Sequence, residues 1–297
     1  LDCRAPGVPL PQAPGAAGLG DVHVAYASDA ANFAGLLSSM LSLASHLADP
    51  GRGHIHVLAE GADLRRAGVL VECFRRELRA LPSLPRVWLH ALEPLPVDVG
   101  GPGLPAHDSR PDLRRPQTFA RLYLHRYLSN VSRVIWLDHD TIVRHDLGVL
   151  YRMQMRGLVA AARDWGNGTF APYRRMVSGR LRARMPSGAA PAFNSGVMLI
   201  DLDRWRSPEV QGTLAALMPL FAGISGEQLV LNLVAGDFDM LDWRWNAMGM
   251  FAGLEVPREC LDAARVLHWT WANKPWRPRR PAAWRRHDDL YEVYAPR

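Results

Sequence analysis

Two aspartates separated by a single residue follow an apolar run near the middle of the chain. Asp138 and Asp140 come directly after residues 134–137. Residues two apart in extended backbone face the same way, so the two carboxylates would lie side by side. Such a pair favours a cation between its charges, and Mg²⁺ and Mn²⁺ prefer oxygen ligands that they share with phosphates. The motif predicts a divalent-metal site, although a surface turn after a strand also explains so short a pattern.

A histidine and a lysine near the end of the chain could serve the same chemistry. His268 follows the apolar pair 266–267, and Lys274 comes six residues later, directly before Pro275. The proline restricts the backbone of Lys274 towards an extended conformation. An imidazole could complete a metal site, while a lysine ammonium could neutralise a departing diphosphate. The alternative for His268 is a core histidine with its hydrogen bonds satisfied.

Amide side chains form a third group of candidates. Asn194 precedes an apolar run, and its carbonyl and NH₂ can both hydrogen-bond ligand hydroxyls. Gly196 would allow a close approach to the backbone. The pair Glu227-Gln228 begins a predicted helix, where it could contact a ligand or cap the first turn. A turn that enters a strand equally explains the segment around Asn194.

The elements that must position these residues follow from the hydrophobic pattern. Strands alternate with helices, which is typical of right-handed βαβ units and a parallel sheet flanked by helices. Ligands of such sheets bind beyond the carboxyl ends of the strands, where Asp138 lies. The predicted strands are 22–27, 54–58, 87–90, 134–137, 158–162, 196–200 and 266–269. The predicted helices are 31–47, 63–80, 117–129, 208–221 and 229–234.

The remaining segments define a predicted domain organisation. Residues 1–20 are rich in Gly, Pro and Ala, as in a flexible stem. Residues 21–276 form one α/β domain, which includes a long loop at 94–116 and a polar, basic insertion at 166–190. Residues 277–297 form a basic C-terminal extension.

Composition excludes several classes of protein. The 297 residues are 48% hydrophobic and 22% charged, which excludes a disordered chain, a collagen and a long coiled coil. The net charge of +6 favours anionic partners. No zinc, helix-turn-helix or RNP-like signature supports a nucleic-acid partner. The apolar runs are too short to span a membrane, so any anchor would lie upstream of Leu1.

The cellular compartment is indicated by glycosylation tripeptides. Asn130-Val131-Ser132 and Asn167-Gly168-Thr169 match the acceptor pattern for N-glycans, which are added in the secretory lumen. The three cysteines, Cys3, Cys73 and Cys260, lack the spacing of a zinc knuckle. They allow one disulfide with one thiol or three thiols.

Six segments in a fixed order carry a resemblance to a known family. The six segments are Asp29 with Asn32, 118–124, 137–143, 193–197, Glu227-Gln228 and 268–276. Their order resembles glycosyltransferase family 8, whose members are retaining enzymes, over about residues 21–276. The tryptophan-rich segments 243–246 and 264–269 are most similar to its eukaryotic branch of galacturonosyltransferase-like and glycosyltransferase-8-domain proteins.

The resemblance implies a GT-A fold, a Rossmann-like nucleotide-diphospho-sugar transferase with a mixed, mostly parallel sheet. It implies transfer of a hexosyl or hexuronosyl group from a UDP-sugar to a hydroxyl of a glycan or glycoprotein. The cofactor would be Mn²⁺ or Mg²⁺. The location would be the Golgi or secretory lumen, with a type II anchor in the full-length protein and a role in cell-wall polysaccharide synthesis.

Individual roles are carried over by the same resemblance. Asp138, Asp140 and His268 would bind the metal together with the diphosphate, and Lys274 would pair with the departing UDP. Gln228 and Asn194 would lie beside the transferred sugar as catalytic residues. The remaining donor contacts would be Asp29 and Asn32 near uracil and ribose, Arg121 at the sugar or phosphates, and Asp164 at sugar hydroxyls.

Two departures from the family pattern leave other functions open. Glu227 stands where the family often has Asp, and Trp271 stands where it usually has Gly. A bulky ring beside the phosphates would suit a catalytically weak GT-A protein that binds glycan or nucleotide. The aspartate pair alone would also suit a metal-dependent hydrolase. Arginines at 174–184 and 277–286 could hold an acidic acceptor or form solvated faces.

Overall fold

The structure is a computed structural model of the chain. It describes residues 20–94, 115–164, 168–177, 179–248, 256–271 and 273–296, without the side chains of 223–225. Except at their end positions, the predicted stem at 1–20 and the predicted loop at 94–116 lie outside the described residues. Asn167, in the second glycosylation tripeptide, lies outside them as well.

A seven-stranded sheet forms the centre of the molecule. Its strands are β1 Val22–Ala27, β2 Gly53–Ala59, β3 Arg86–Ala91, β4 Arg133–Leu137, β6 Val159–Arg163, β7 Phe193–Asp201 and β8 Asp239–Leu241. They lie in the order β3-β2-β1-β4-β7-β6-β8. β7 is antiparallel to both of its neighbours, whereas the other pairs are parallel. The prediction of a mixed, mostly parallel sheet is confirmed.

A second, three-stranded sheet joins the end of the first. It consists of β5 Thr141–Val143, β9 Ala247–Met248 and β10 Val266–His268, in the order β5-β10-β9. The hydrophobic pattern predicted the region of β10 but neither β5 nor β9, because strands of two or three residues are too short to show an alternation of apolar and polar residues.

Helices cover both faces of the large sheet. They are α1 Phe33–His46, α2 Leu64–Glu77, α3 Pro116–Phe119, α4 Leu124–Tyr127, α5 Leu147–Tyr151, α6 Ala171–Met176, α7 Gly179–Ala183, α8 Leu202–Trp205, α9 Pro208–Ala235, α10 Arg258–Ala263 and α11 Asp288–Glu292. The alternation along β1 sends Val22, Val24 and Tyr26 into one core with α1, α2 and α5. Ala25 and Ala27 face the other core, which contains α8 and α9.

Two helix predictions are wrong in detail. Instead of one helix over 117–129, α3 and α4 flank a 3₁₀ turn, because Phe119, Leu122 and Leu124 are all fully buried and one apolar stripe cannot bury them together. Instead of two helices over 208–221 and 229–234, α9 is continuous, because both parts pack into the same core. Within α9, Gly226 has a φ of +64°, a left-handed conformation that glycine tolerates.

The residues after 276 pack against the rest of the chain. Tyr291 of α11 is buried, and its hydroxyl lies 2.8 Å from Ser38 Oγ of α1. Arg280 is buried and forms an ion pair with Asp288. The division of the chain into stem, catalytic domain and extension stays a prediction.

Candidate active site

The candidate site lies beside β1, from which the chain first adds strands on one side of the sheet (β2, β3) and then on the other side (β4). Because β1 is parallel to both β2 and β4, the loops that follow these strands lie at the same edge of the sheet. Asp29 follows β1, and Asp138 and Asp140 occupy the turn between β4 and β5. This edge is the carboxyl end of the parallel strands, where α/β sheets bind ligands.

Pairing within the small sheet brings His268 to the aspartates. β10 runs antiparallel to β5, with His268 opposite Thr141. The Trp269 N–H donates to the Asp140 carbonyl at 2.9 Å, and Thr141 Oγ1 donates to the Asp138 carbonyl at 2.8 Å. Residues 128 positions apart in the chain are therefore held side by side by backbone hydrogen bonds.

Three potential metal ligands converge at this point. One donor atom from each of Asp138, Asp140 and His268 lies within 4.8 Å of the other two. His268 Nε2 is 3.3 Å from Asp140 Oδ1 and 3.7 Å from Asp138 Oδ2. Asp140 Oδ1 is buried and accepts no hydrogen bond from the described residues, which is costly unless a cation satisfies it. Two carboxylates and an imidazole at these spacings fit a divalent cation such as Mn²⁺.

Each aspartate is anchored through its other oxygen. Asp138 Oδ1 accepts from Trp136 Nε1 at 2.9 Å and forms an ion pair with Arg121 at 2.8 Å. Asp140 Oδ2 is bound by the Lys274 ammonium, which also donates to the Trp269 carbonyl at 2.7 Å. Burial would raise the pKa of Asp140, but Lys274 and His268 outweigh it and hold that pKa well below its usual value. Asp140 is thus ionised and ready for a cation.

Arg121 lies beneath the cluster. Its guanidinium is buried and bonds the carbonyl of Ser195 at 2.8 Å, Asp138 at 2.8 Å and Glu227 at 3.2 Å. Burial raises the pKa of Glu227, and the charge of Arg121 opposes that rise. The structure therefore places Arg121 in an internal ion-pair network, and its predicted contact with donor sugar or phosphates stays a prediction.

The predicted sugar-side residues form one hydrogen-bonded group. Asn194 Nδ2 donates to Gln228 Oε1 at 3.2 Å and to Asp164 Oδ1 at 3.3 Å. Gln228 Nε2 donates to Asp164 Oδ2 at 2.9 Å and to the Tyr173 hydroxyl at 2.6 Å. β6, β7 and α9 thus bring together residues that are far apart in sequence.

Asp29 and Asn32 lie at the end of β1, as their order in the chain predicts. Asp29 Oδ1 accepts from the Ala31 N–H at 3.1 Å and from Asn32 Nδ2 at 2.9 Å. The other carboxylate oxygen of Asp29 pairs with Arg115. Asn32 Oδ1 is buried and without a hydrogen-bond partner in the structure. Asp29 therefore caps a turn, and the predicted contacts of Asp29 and Asn32 with uracil and ribose stay predictions.

The tryptophans of the last motif differ in environment. Trp269 is fully buried, and Trp276 packs on Gly35, where an added Cβ would come within 2.4 Å of the ring. Trp271 is 64% exposed and has a φ of +64°. The backbone at 271 thus adopts a left-handed conformation with a non-glycine residue, at a cost of about 1–2 kcal/mol.

Sequence reasoning missed several residues of the site. Trp136 and Tyr173 hydrogen-bond site residues, but neither has a local signature that distinguishes it from a core aromatic. Asn246 accepts a hydrogen bond from His268. Its position directly after Trp243-Arg244-Trp245 could have indicated a buried amide that needs a polar partner. The close approach at Gly196 is made by the protein itself, since an added Cβ would lie 2.2 Å from His268 Cε1.

Comparison with known proteins agrees with this architecture. Residues 105–279 match glycosyl transferase family 8. The chain is 27% identical over 270 residues to the probable galacturonosyltransferase-like 10 of Arabidopsis thaliana, covering 86% of this chain and 71% of that protein.

Two solved structures share the fold. The galactosyltransferase LgtC, crystallised with donor and acceptor sugar analogues, superposes with a TM-score of 0.65 at 21% identity, covering 92% of this chain and 95% of that one. The glycosyltransferase GlyE of Streptococcus pneumoniae gives a TM-score of 0.65 at 20% identity, covering 93% of this chain and 61% of that one. The predicted GT-A fold is confirmed.

Proposed function

We propose, because the chain belongs to glycosyl transferase family 8 and is a glycosyltransferase, that it uses a UDP-sugar and a divalent metal ion. The group moved is a hexosyl or hexuronosyl unit, and the acceptor is a hydroxyl of a glycan or glycoprotein. The observation that carries the proposal is the convergence of Asp138, Asp140 and His268 beside Lys274, with a buried carboxylate oxygen that lacks a partner.

Asp138, Asp140 and His268 would hold Mn²⁺ or Mg²⁺, which supplies positive charge to the diphosphate as UDP departs. Lys274 would supply a second positive charge there, once its ammonium turns from Asp140 to a phosphate oxygen. Asn32 would contact the nucleoside through its unpartnered amide oxygen, and Asp29 and Arg115 would frame that end of the site.

Asn194, Gln228 and Asp164 would orient the transferred sugar through its hydroxyls, since their amides and carboxylate already form one polar group. Retention would follow from attack on the face that UDP leaves. The acceptor oxygen bonds to the anomeric carbon, the bond from that carbon to the phosphate oxygen breaks, and the hydroxyl proton passes to a UDP phosphate oxygen. A trapped glycosyl-enzyme adduct would refute this route.

The decisive test is UDP release by the full chain from a panel of UDP-sugars, first with Mn²⁺ and then with EDTA. Asp140→Ala should lower release by a factor of about 10²–10³, because it removes charge stabilisation at the leaving group. Asp203→Ala is the matched control, since Asp203 belongs to a second Asp-x-Asp pair at 201–203 and is exposed. UDP binding without release would favour the binding-protein alternative, and free sugar as the main product would favour a hydrolase.

An acidic acceptor is supported by the exposed part of the basic insertion. Arg175, Arg180 and Arg184 are exposed, whereas Arg174 bonds three backbone carbonyls of the insertion itself. The names of the plant relatives agree with an acidic sugar chemistry. Transfer to acidic acceptors should weaken as salt is raised. Equal transfer to neutral acceptors, indifferent to salt, would contradict this part of the proposal.

A secretory location is supported by two features. Cys260 is disulfide-bonded, and disulfides persist in oxidising compartments. Asn130 lies exposed in a turn, where a glycan could be attached. Across the described residues, no helix combines the length and the apolarity that a membrane crossing needs. Expression in a secretory host should give a chain whose apparent mass on a gel is lowered by endoglycosidase. Asn130→Gln should reduce or abolish that mass difference.

A further inference from the structure

Two asparagines connect the metal-ligand histidine to the backbone of the central sheet. His268 Nδ1 lies 2.9 Å from Asn246 Oδ1, and Asn246 Nδ2 lies 2.9 Å from Asn194 Oδ1. Asn194 Oδ1 also accepts from the Gly196 N–H at 2.9 Å. Asn246 is 1% exposed, so its amide finds these partners in place of water.

The direction of this chain of hydrogen bonds follows from its backbone end. A backbone N–H can only donate, so the Asn194 atom facing Gly196 must be the carbonyl oxygen. The Asn246 atom that faces the same oxygen must then be the NH₂ group. Its carbonyl oxygen is left to face His268, and this oxygen can only accept. The proton of a neutral His268 must therefore sit on Nδ1.

The consequence concerns the other ring nitrogen. With the proton on Nδ1, Nε2 presents a lone pair towards Asp138 Oδ2 and Asp140 Oδ1. Two carboxylates would otherwise draw the proton to Nε2, because a protonated Nε2 could donate to Asp140 Oδ1. A histidine that carries its proton on Nε2 cannot bind a metal through that atom.

We infer that Asn246 is a positioning residue for the metal site, and that the Asn194–Asn246 pair transmits the orientation of the β7 backbone to His268. The inference rests on the proposed function, since it concerns the readiness of that same site for a cation. It also joins the metal end of the site to the sugar end, because Asn194 contacts Gln228 and Asp164.

The absence of a side chain at Gly196 also helps to position His268. The His268 ring lies against the backbone there, with its Cε1 2.2 Å and its Nδ1 2.8 Å from the position of an added Cβ. Asn246 holds the edge of the ring through Nδ1, and Gly196 leaves room for the ring itself. Both residues thus act on the position of His268 without being metal ligands.

The first readout is the protonation of the His268 ring in the metal-free full chain. Protein labelled with ¹⁵N-histidine is studied at a pH of about 9, where imidazole is neutral. His268→Gln identifies the signal among the 11 histidines. We expect the Nδ1–H form in the unsubstituted chain. In Asn246→Leu we expect the proton on Nε2, because Asp140 then offers the nearest acceptor.

The second readout is Mn²⁺ binding followed by EPR, without a sugar donor. Asn246→Leu should weaken binding by a factor of about 10–100, the usual effect of losing a second partner of a metal-ligand histidine. Asn246→Asp should bind Mn²⁺ nearly as the unsubstituted chain does, because its carboxylate still accepts from Nδ1. It should raise KM for the donor, since an acidic oxygen would face Asn194 Oδ1.

Asn232→Leu is the matched control for loss of a buried asparagine. Asn232 is also 1% exposed and bonds the Phe193 backbone on the same strand, but it does not contact His268. It should lower stability and leave the His268 signal unchanged. An Nε2–H form in the unsubstituted chain, or an unchanged form in Asn246→Leu, would overturn the inference. The ¹⁵N signal of His268 can be measured in a chain without transferase activity. Failure of the proposed function would therefore not prevent this test.

Discussion

Two polar clusters are positioned by the strands of the molecule, and among the described residues only one of them has the geometry of a metal site. Asp138, Asp140 and His268 lie beyond the carboxyl end of β4. A second cluster, here named the histidine row, crosses β1, β2 and β3 on one face of the sheet. Its members are His23, His54, His56 and His90. The histidine row has more imidazoles, yet among the described residues only the first cluster brings three ligand atoms within 4.8 Å of one another.

The difference lies in where the donor atoms point. In the histidine row, His23 Nδ1 is 3.0 Å from His56 Nε2, and His56 Nδ1 is 3.1 Å from His90 Nε2. Both pairs have ring centroids 5.3 Å apart, which places each pair nearly in line. In each contact one nitrogen donates a proton to the lone pair of the next, so these lone pairs are not available to a metal ion. In the other cluster, one ligand atom from each of three residues faces the same point.

Charge separates the clusters as well. Asp138 and Asp140 concentrate negative charge, which Arg121 and Lys274 balance from outside. In the histidine row, burial is the main cause and neighbouring histidines a smaller one of the lowered pKa values, about 4 for His23 and about 3 for His56, so these two imidazoles are neutral at neutral pH. Convergence and charge, and not the number of ligating residues, distinguish the proposed metal site from the histidine row.

Removal of the lysine charge is expected to have the largest effect. Lys274→Met should lower transfer by a factor of about 10²–10³, because the leaving diphosphate loses a cation. The same variant should bind Mn²⁺ more tightly without donor, because Asp140 loses its ammonium partner. Kinetics and EPR on one preparation measure both effects. Weaker Mn²⁺ binding in Lys274→Met would contradict the proposed exchange of partners.

Crowding the histidine should come next. Gly196→Ala places a Cβ 2.2 Å from His268 Cε1, so the ring must move away from the aspartates. We expect Mn²⁺ affinity to fall by about 10–100-fold, as for loss of ligand orientation. Gly212→Ala on α9 is the control, because its added Cβ meets no atom within 4 Å. Unchanged Mn²⁺ affinity in Gly196→Ala would show that the placement of His268 is not needed.

The histidine row should instead respond to acid. In the unfolded chain its imidazoles bind protons near pH 6.5, whereas folded His23 stays neutral down to about 4. Between these values the unfolded state binds more protons, so stability falls as pH falls, by at most about 1.4 kcal/mol per pH unit for each imidazole. The charge of Asp21 opposes the lowering of the His23 pKa, but burial outweighs it.

Replacing the central imidazole tests this origin. His56→Leu removes both in-line contacts, and its urea midpoint should depend less on pH between 6.5 and 4 than that of the unsubstituted chain. Its Mn²⁺ affinity at neutral pH should not change. An equal pH dependence in both proteins would assign the acid sensitivity to other groups.

The smallest effect is expected at Trp271. Asparagine tolerates the left-handed conformation better than tryptophan, so Trp271→Asn should stabilise the fold by about 0.5–1 kcal/mol. Transfer should persist, because the backbone already has the conformation that a glycine would take there. Loss of transfer with normal Mn²⁺ binding would show instead that the exposed ring contacts a substrate.

Much of this architecture was readable from sequence, and the exceptions have physical causes. The strands at 22–27, 54–58 and 134–137 were predicted because short stretches of mostly apolar residues, interrupted only by histidines in the first two, are typical of buried strands. The family resemblance grouped Asp138, Asp140 and His268, and the structure brings these three residues together, while the roles carried over by the resemblance stay predictions. The partners of Arg121 and Lys274 were not predictable, since long side chains choose among acceptors only in three dimensions.

The histidine row was not recognised, although His54-Ile55-His56 alternates like a strand. His23 on β1 and His90 on β3 come next to His56 only through the parallel pairing of the three strands. That pairing sets Ala25 opposite His56 and Leu58 opposite His90. The helix break at Tyr123 was missed for a different reason, because a segment buried on all sides has no polar face that shows where a helix ends. Sequence patterns report burial well and report pairing poorly.

Manganese binding by the full chain, measured by EPR in the presence of UDP, distinguishes the two clusters in one experiment. The convergent cluster predicts a single tight site that Asp140→Ala abolishes and His56→Leu leaves unchanged. Asp203→Ala should also leave it unchanged, because that carboxylate pairs only with Arg206 among the described ion pairs. Binding that survives Asp140→Ala, or that is lost in His56→Leu, would contradict the assignment of the metal site to Asp138, Asp140 and His268.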